Sequence, residues 1–548
     1  MLFRNATLRQ APGSVILVIA LGFYAVYQIN FLIDPWSSWV HIESAYYDEH
    51  LRGTVIANSW AAYSDVIFAQ PIRLRQLMQA VELADSYLRP AMVATFGFLP
   101  ALANASSILY FALCPFLAVL IARRLIGSSA VSAVIIVLAV GAFLTSVGYI
   151  SSSIFIFHPA KKLVIFETLV AWLVFLQYMQ APQPRYVIVI GALQFAMALT
   201  DEVGLSSGGL LCALVAGYVM AFRRESVSHL GWLVGFGVAT VAAFAYRWGT
   251  NWAALDGGDL FGGESLLDHV LKSFNAPDTN FDTLAKHLAG AFSSFYGFSA
   301  TKFLFLFGLG GATAIAFFGV LPSTRARIFT RATTGMKSDV AEAGFLFLGA
   351  LVLLLSNAIV SVLLLQFGGS LHLTAYNYYY ANTLPVFAFF IVCAAFRLTA
   401  FAVGGQSPLL KLAGWSVQFT LAVALGLALA ANVVDMPRVN RLVGMIHNNP
   451  YGYGAINEAG NENLRRMSAG SPADGDVMRI PRCSEAAMTR RFTELVDQLG
   501  ITDTGIREAY LAYPSRPFVG ERYLNALIVM MLRRSPKIEM VPAADGQC

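Results

Sequence analysis

An all-α polytopic membrane protein of about eleven transmembrane helices, with periplasmic loops and a small C-terminal periplasmic domain, is the fold class this sequence predicts. Three observations predict it. Hydrophobic residues fill 57% of the 548 positions and charged residues only 13%, about half the charge that a water-facing surface requires. Apolar runs of roughly the 20 residues that cross a bilayer recur along the chain. Lys and Arg collect in alternate connections between those runs, as the positive-inside rule demands.

The first run, 14–33, follows a short segment carrying Arg4 and Arg9. It is longer than the core of a secretory signal and has no small-residue cleavage site, so it reads as a retained span. Further runs occupy 96–121, 130–150, 163–180, 186–200, 203–222 and 231–246, then 303–321, 344–367, 380–396 and 412–434. If every run crosses, Arg4, Arg9, Arg123, Arg124, Arg185, Arg223, Arg224, Arg325, Arg327, Arg331, Lys337, Arg397 and Lys411 all fall on one side. That side is the cytoplasm. The opposite connections at 151–157, 201–202 and 368–377 carry no Lys or Arg, and Lys161 with Lys162 is the exception at the outer start of the fourth run. The expected location is a bacterial inner membrane, with the N-terminus cytoplasmic and the C-terminus periplasmic.

This topology divides the chain into a transmembrane region, 1–434, and a C-terminal periplasmic domain, 435–548, of about a hundred residues. Two long outer loops, 34–95 and 247–302, interrupt the first part. Within 34–95 the stretch IRLRQLMQAVELADSYLRP repeats apolar residues at helical spacing and predicts an amphipathic helix on the membrane surface. The formal charge of +5 comes from dispersed cations with no basic stripe to follow a phosphate backbone, which excludes nucleic acid as a partner. Of the five cysteines, Cys114, Cys212 and Cys393 sit in apolar runs as small hydrophobes. Cys483 and Cys548 are the pair left in the outer, oxidising compartment, which predicts a disulfide between them.

The candidate functional residues lie on the outer side. The first loop opens as DPWSSWVHIESAYYDEHLRG, which sets Asp34 at the headgroup level. A carboxylate there is costly unless paired or used; the plain alternative is a helix-end acid in water. Trp36 and Trp39 read either as interface anchors or as faces for a sugar ring, and Glu43, Asp48 and Glu49 add further acids. His41, Glu43, Asp48 and His50 have no spacing that makes a closed metal site. The carboxylates alone leave a divalent cation, Mg or Mn, as the one cofactor to consider. For an anionic ligand the outer side offers Arg89, Lys161, Lys162 and Arg247, the lysines following His158 and Pro159; snorkelling to headgroups is their other reading. Asp201 and Glu202 occupy a very short outer turn, for which a salt bridge to a neighbouring helix end is the plainer reading. His372, Tyr376 and Tyr379 lie at the outer entry of the 380–396 run, where an aromatic belt is also expected.

The DPW at Asp34, the following IESAYYDEHLRG, the amphipathic stretch and the ALTDEVGLSS turn together resemble the GT-C superfamily of membrane glycosyltransferases. The resemblance covers the plan of the whole transmembrane region. The first loop is similar to that of oligosaccharyltransferase catalytic subunits and of bacterial aminoarabinose and mannosyl transferases. Three departures stand beside it: no WWDYG sequence follows, a single Asp34 before Pro35 replaces an acidic pair, and the Arg usual near His372 is missing.

The resemblance implies an enzyme that moves a hexosyl or pentosyl group from a polyprenyl-phosphate donor to a lipid, glycan or protein acceptor at the periplasmic face. Asp34 is then the base for the acceptor hydroxyl, with Asp48 and Glu49 as alternates. Arg89, Lys161, Lys162 and Arg247 would hold donor phosphate. Trp36, His158, Asp201, Glu202, His372, Tyr376 and Tyr379 would border sugar and acceptor. Two other classes share these features: a transporter or flippase for a lipid-linked saccharide, and a non-catalytic subunit of a cell-envelope polysaccharide assembly system. A transporter would carry ionisable residues near mid-membrane, whereas the polar residues noted above gather at one face.

Overall fold

The computed structural model describes residues 15–25, scattered positions of 77–95, 105–146 except 128, residue 149, 160–254, 299–320, 334–367, 384–404, 407–447, 477–482 and 537–542, with a few positions of 490–500. Its main body is helical. In chain order the helices are α1 (Val15–Ala25), α2 (Ala105–Ile126), α3 (Ala130–Leu144), α4 (Ala160–Gln180), α5 (Pro184–Thr200) and α6 (Glu202–Phe222). A 3-10 segment, Arg224–His229, leads into α7 (Leu230–Ala254), and α8 (Ser299–Val320), α9 (Thr334–Phe367), α10 (Leu384–Gly404) and α11 (Pro408–His447) follow. Among the described residues, six helices are long and apolar enough to cross a membrane, and α1, α3, α5 and α8 hold shorter apolar stretches. The chain is thus a helical membrane protein of the multi-pass kind.

Local chemistry sets the helix ends. Ser129 caps α3 by accepting from the Ser132 N–H, and Pro184 opens α5 at a position where its missing N–H costs nothing. After α2 the chain leaves through Gly127 at φ 104°, a left-handed conformation that glycine takes without Cβ strain, and the Gly127 N–H returns to the Arg123 carbonyl. Asp201 is extended between α5 and α6 and caps α6 by accepting from the Val203 N–H at 3.1 Å. The α5–α6 connection is therefore a single residue, and the two helices form a tight antiparallel hairpin.

Burial separates the centre from the lipid-facing rim. The span in α10 is 78% buried and that in α7 only 6%, so α10 is the axis and α7 the periphery. Around α10 the contacts are aromatic: Trp172 stacks on Phe390 with ring centroids 3.6 Å apart, and Phe143 stacks on Phe389 at 4.9 Å. Tyr110 and Tyr149 stack at 4.4 Å and each donates its hydroxyl to the other's carbonyl, at 2.8 and 3.2 Å. Outward, α7 presents Trp232, Val234, Val238 and Val241, and α8 presents Phe303, Leu306 and Phe307. These are the apolar faces that lipid covers.

The short links also fix which helix ends lie together. Because α4 to α5 and α6 to α7 turn at one end of the bundle, the α5–α6 turn lies at the other. The first end is basic. There Arg223 pairs with Glu342 at 3.6 Å and donates to the Met179 carbonyl, Arg124 donates to the Leu173 carbonyl, and Arg397 donates to the Arg124 carbonyl. Three of the cations that the sequence assigns to one side are in this way tied by hydrogen bonds to neighbouring helices.

In the 34–95 segment, the described positions between 77 and 95 are helical. Met78 and Asp85 are covered and Tyr87 is exposed, so the helical face that carries Met78 also carries an acid. Beyond 434, α11 continues to His447 and the chain later forms strands β1 (Val477–Arg482) and β2 (Lys537–Pro542). They pair in parallel, with Val477 opposite Lys537 and Arg482 opposite Pro542. Strands had not been expected in this segment, whose sequence reading gave only a small domain.

Candidate functional site

The end of the bundle opposite the basic one holds a group of buried polar side chains on α4, α5, α6 and α9. Lys162, Glu167, Thr168, Thr200, Asp201, Ser207 and Asn357 are all less than one-tenth exposed. In a hydrocarbon setting each such group must find partners or serve a ligand.

The geometry begins with Glu167. Its Oε1 lies 3.2 Å from the Thr200 hydroxyl, which also lies 2.9 Å from the Ala196 carbonyl. This contact sets Glu167 level with the last residue of α5. The Glu167 side chain leans toward the start of α4, and Val164 of α4 lies against Gly204 of α6, so α4 rises only about 6 Å above that second contact, at 1.5 Å per residue. On the other flank, Ser206 and Ser207 donate to Asn357 Oδ1 at 3.2 and 3.0 Å, and α9 runs on to Phe367, about 15 Å past that contact. The α5–α6 turn is therefore flanked by α4, which starts near its level, and by α9, which rises past it. Asp201 and Thr200 are both 0% exposed. The short turn between α5 and α6 is thus a buried one.

Close packing keeps the turn sunk. A Cβ added to Gly204 would lie 2.3 Å from the Met197 carbonyl oxygen, and one at Gly208 would lie 3.2 Å from the Gln194 Cα. Two glycines four residues apart thus let α6 lie directly on the α5 backbone, the small-residue contact common between membrane helices. Gln194 in turn accepts from Thr240 at 3.3 Å, tying α7 to the same hairpin.

Charge in the recess is unevenly answered. Asp201 Oδ1 is held by the Val203 N–H at the positive end of the α6 dipole. Lys162 is 1% exposed in the first two turns of α4. Glu167 Oε2 and Asn357 Nδ2 are buried with no hydrogen-bond partner among the described residues. Among those residues no group of three or more His, Cys, Asp or Glu side chains comes together.

Of the residues singled out from sequence, Lys162 and Asp201 fall in this recess. Lys161 begins α4, Glu202 begins α6 and Arg247 lies in the last third of α7, each located by its backbone. Asp34, Trp36, Asp48, Glu49, Arg89, His158, His372, Tyr376, Tyr379, Cys483 and Cys548 lie outside the described residues. Three polar residues were missed: Glu167, Asn357 and Asp85. The first two had a signal, a lone Glu in LVIFETLVAW and a lone Asn in LLLSNAIV, each the costly exception in an apolar run. Asp85 is harder to find, because only the helix register shows that it shares the covered face with Met78. Comparison with family models, with curated proteins and with solved structures finds no match for the chain.

Proposed function

We propose that the protein is a GT-C-type glycosyltransferase of about eleven spans in a bacterial inner membrane. It moves one sugar from a polyprenyl-phosphate donor to a lipid, glycan or protein acceptor at the periplasmic face. The observation that carries this reading is the recess itself, where a buried lysine, Lys162, and two buried carboxylates, Glu167 and Asp201, share the end of the bundle opposite the arginines. Sugar transfer from a lipid phosphate needs a cation for the leaving phosphate and carboxylates for the acceptor proton and sugar hydroxyls, at the depth of a headgroup. On this reading Lys162 faces donor phosphate with Lys161, Arg89 and Arg247. Asp34 is the base, and a divalent cation would be held by acids of the first loop.

The test is transfer from a synthetic polyprenyl-phosphate sugar by purified protein, comparing wild type with Asp34→Asn and Lys162→Ala. Loss of turnover is expected in the first and a raised donor KM in the second. Full activity in Asp34→Asn would remove Asp34 and move attention to Asp48 and Glu49. One observation favours a second reading, a transporter or flippase for a lipid-linked saccharide. Glu167 lies inside an apolar span, five residues on from its Lys162 end, and coupled carriers keep polar groups within their spans. Saccharide movement in proteoliposomes, with no turnover on any donor, would select it.

A further inference from the structure

We propose that Glu167, the Thr200 hydroxyl and the carbonyl end of α5 form a binding site for a single alkali-metal cation. The site lies beneath the recessed turn, and it does not depend on which reaction or transport the protein performs. Its starting point is a conflict of hydrogen bonding. Thr200 has one hydroxyl hydrogen but two acceptors, the Ala196 carbonyl at 2.9 Å and Glu167 Oε1 at 3.2 Å. When the shorter contact takes the hydrogen, Thr200 Oγ1 and Glu167 Oε1 face each other as two acceptors. Oxygens that share a cation sit at such a separation; oxygens facing each other with nothing between them repel.

The second oxygen of the carboxylate adds to this. Glu167 is 6% exposed, and its Oε2 has no hydrogen-bond partner among the described residues. Among those residues no Lys, Arg or His pairs with it; the ion pair seen, Arg223 with Glu342, is at the opposite end. The carboxylate also meets the C-terminal end of α5, where the helix dipole is negative and the carbonyls of Ala198, Leu199 and Thr200 have no intrahelical N–H to accept from. A bare carboxylate there is opposed by the dipole. A cation is favoured by the carboxylate, the dipole and the neutral oxygens at once.

Charge selects the class of ion. Asp201, the other acid of the recess, has Oδ1 bound to the Val203 N–H at the positive start of α6, which answers its charge locally. Lys162, buried at the same end of the bundle, makes no ion pair with Glu167 among the described residues, so one negative charge is left to answer, and hydroxyl and carbonyl oxygens complete the shell. That set suits Na⁺ or K⁺. A divalent ion would keep most of its hydration cost unanswered with one carboxylate. A proton could neutralise Glu167 but would make no use of the α5 carbonyls as a group.

The experiment uses the purified full chain in nanodiscs, with sodium ion as the probe and choline replacing it at constant ionic strength. Wild type should bind radioactive sodium saturably and unfold at a higher temperature as sodium rises. Glu167→Gln should lose both the binding and the sodium-dependent shift, and Thr200→Val should raise the half-saturating concentration several-fold. No saturable binding of sodium or potassium by wild type would overturn the proposal, as would unchanged binding in Glu167→Gln. A midpoint that follows pH but not sodium would assign the site to a proton and overturn it equally. Should Glu167→Gln fail to fold, Thr200→Val decides, and unchanged sodium affinity in that variant would end the proposal.

Discussion

Placing one methyl group at Gly204 tests the recessed hairpin more directly than any change to its polar residues. The added Cβ would stand 2.3 Å from the Met197 carbonyl oxygen and 2.9 Å from its carbon, the first more than 1 Å inside ordinary contact. Both atoms are backbone, so no rotamer change relieves the clash and α5 must move off α6. Overpacking of this kind costs about 1–3 kcal/mol, and a rigid obstacle puts the cost near the top of that range. Against it stands the gain of about 1 kcal/mol that alanine brings over glycine inside a helix. The net expectation for Gly204→Ala is a loss of about 2 kcal/mol. Gly209, on the same helix, is the matched control, because an added Cβ there meets nothing within 4 Å. Gly209→Ala should be neutral or gain up to about 1 kcal/mol. Thermal unfolding and denaturant titration of both variants in one detergent give the comparison. Equal stabilities for the two would refute the close approach of α5 and α6, and with it the buried position of Asp201.

Other predictions follow from the same geometry. Asn357→Leu removes an amide that takes two serine hydroxyls at 3.2 and 3.0 Å but also removes the buried Nδ2, so it should cost about 1 kcal/mol or less in unfolding titrations. The double change Ser206→Ala with Ser207→Ala leaves the Asn357 carbonyl buried and unanswered, and should cost more, about 1–3 kcal/mol. At the basic end, a double-mutant cycle on Arg223→Gln and Glu342→Gln should give a coupling of about 1 kcal/mol. The reason is that the pair is 3.6 Å apart with the Arg side chain 31% exposed; a coupling of zero would make the contact incidental. In the C-terminal segment, parallel pairing sends the chain out of β1 and β2 at one common end, with Cys483 next in sequence after Arg482 and Cys548 following Pro542. Non-reducing mass spectrometry of the full chain should find Cys483 joined to Cys548, and two free thiols there would overturn the pairing.

Hydrophobic run length made most of the helical body legible, because lipid forces each crossing segment to satisfy its own backbone hydrogen bonds. The runs at 163–180, 203–222 and 412–434 fall within α4, α6 and α11. What run length hid was the register of polar residues inside those runs. Glu167 changes the average polarity of its window little, yet it is buried within a helix, whereas Glu202 stands at a helix start. The parallel pair β1–β2 was hidden for another reason. Its partners are joined across 483–536, and no local pattern announces a pairing over that separation.

The recess itself follows from a mismatch of helix lengths that the sequence states plainly once its consequence is known. Pro184 fixes where α5 begins and Asp201, as cap, fixes where it ends, so α5 is held to 17 residues, about 25 Å, which is less than a full bilayer crossing. Its neighbour α4 has 21 residues and starts with two lysines. Pairing this short helix with α9, which rises past the turn, buries the connecting turn, and Asp201 with it. Glu167 then meets the end of α5 at a depth where water does not screen it. A single insertion of one helical turn into α5, between Gln194 and Met197, would lift the turn toward the headgroups and separate Thr200 from Glu167. Sodium-dependent stabilisation should vanish in that variant while Gly209→Ala retains it. Retention in both would show that the site does not depend on where α5 ends.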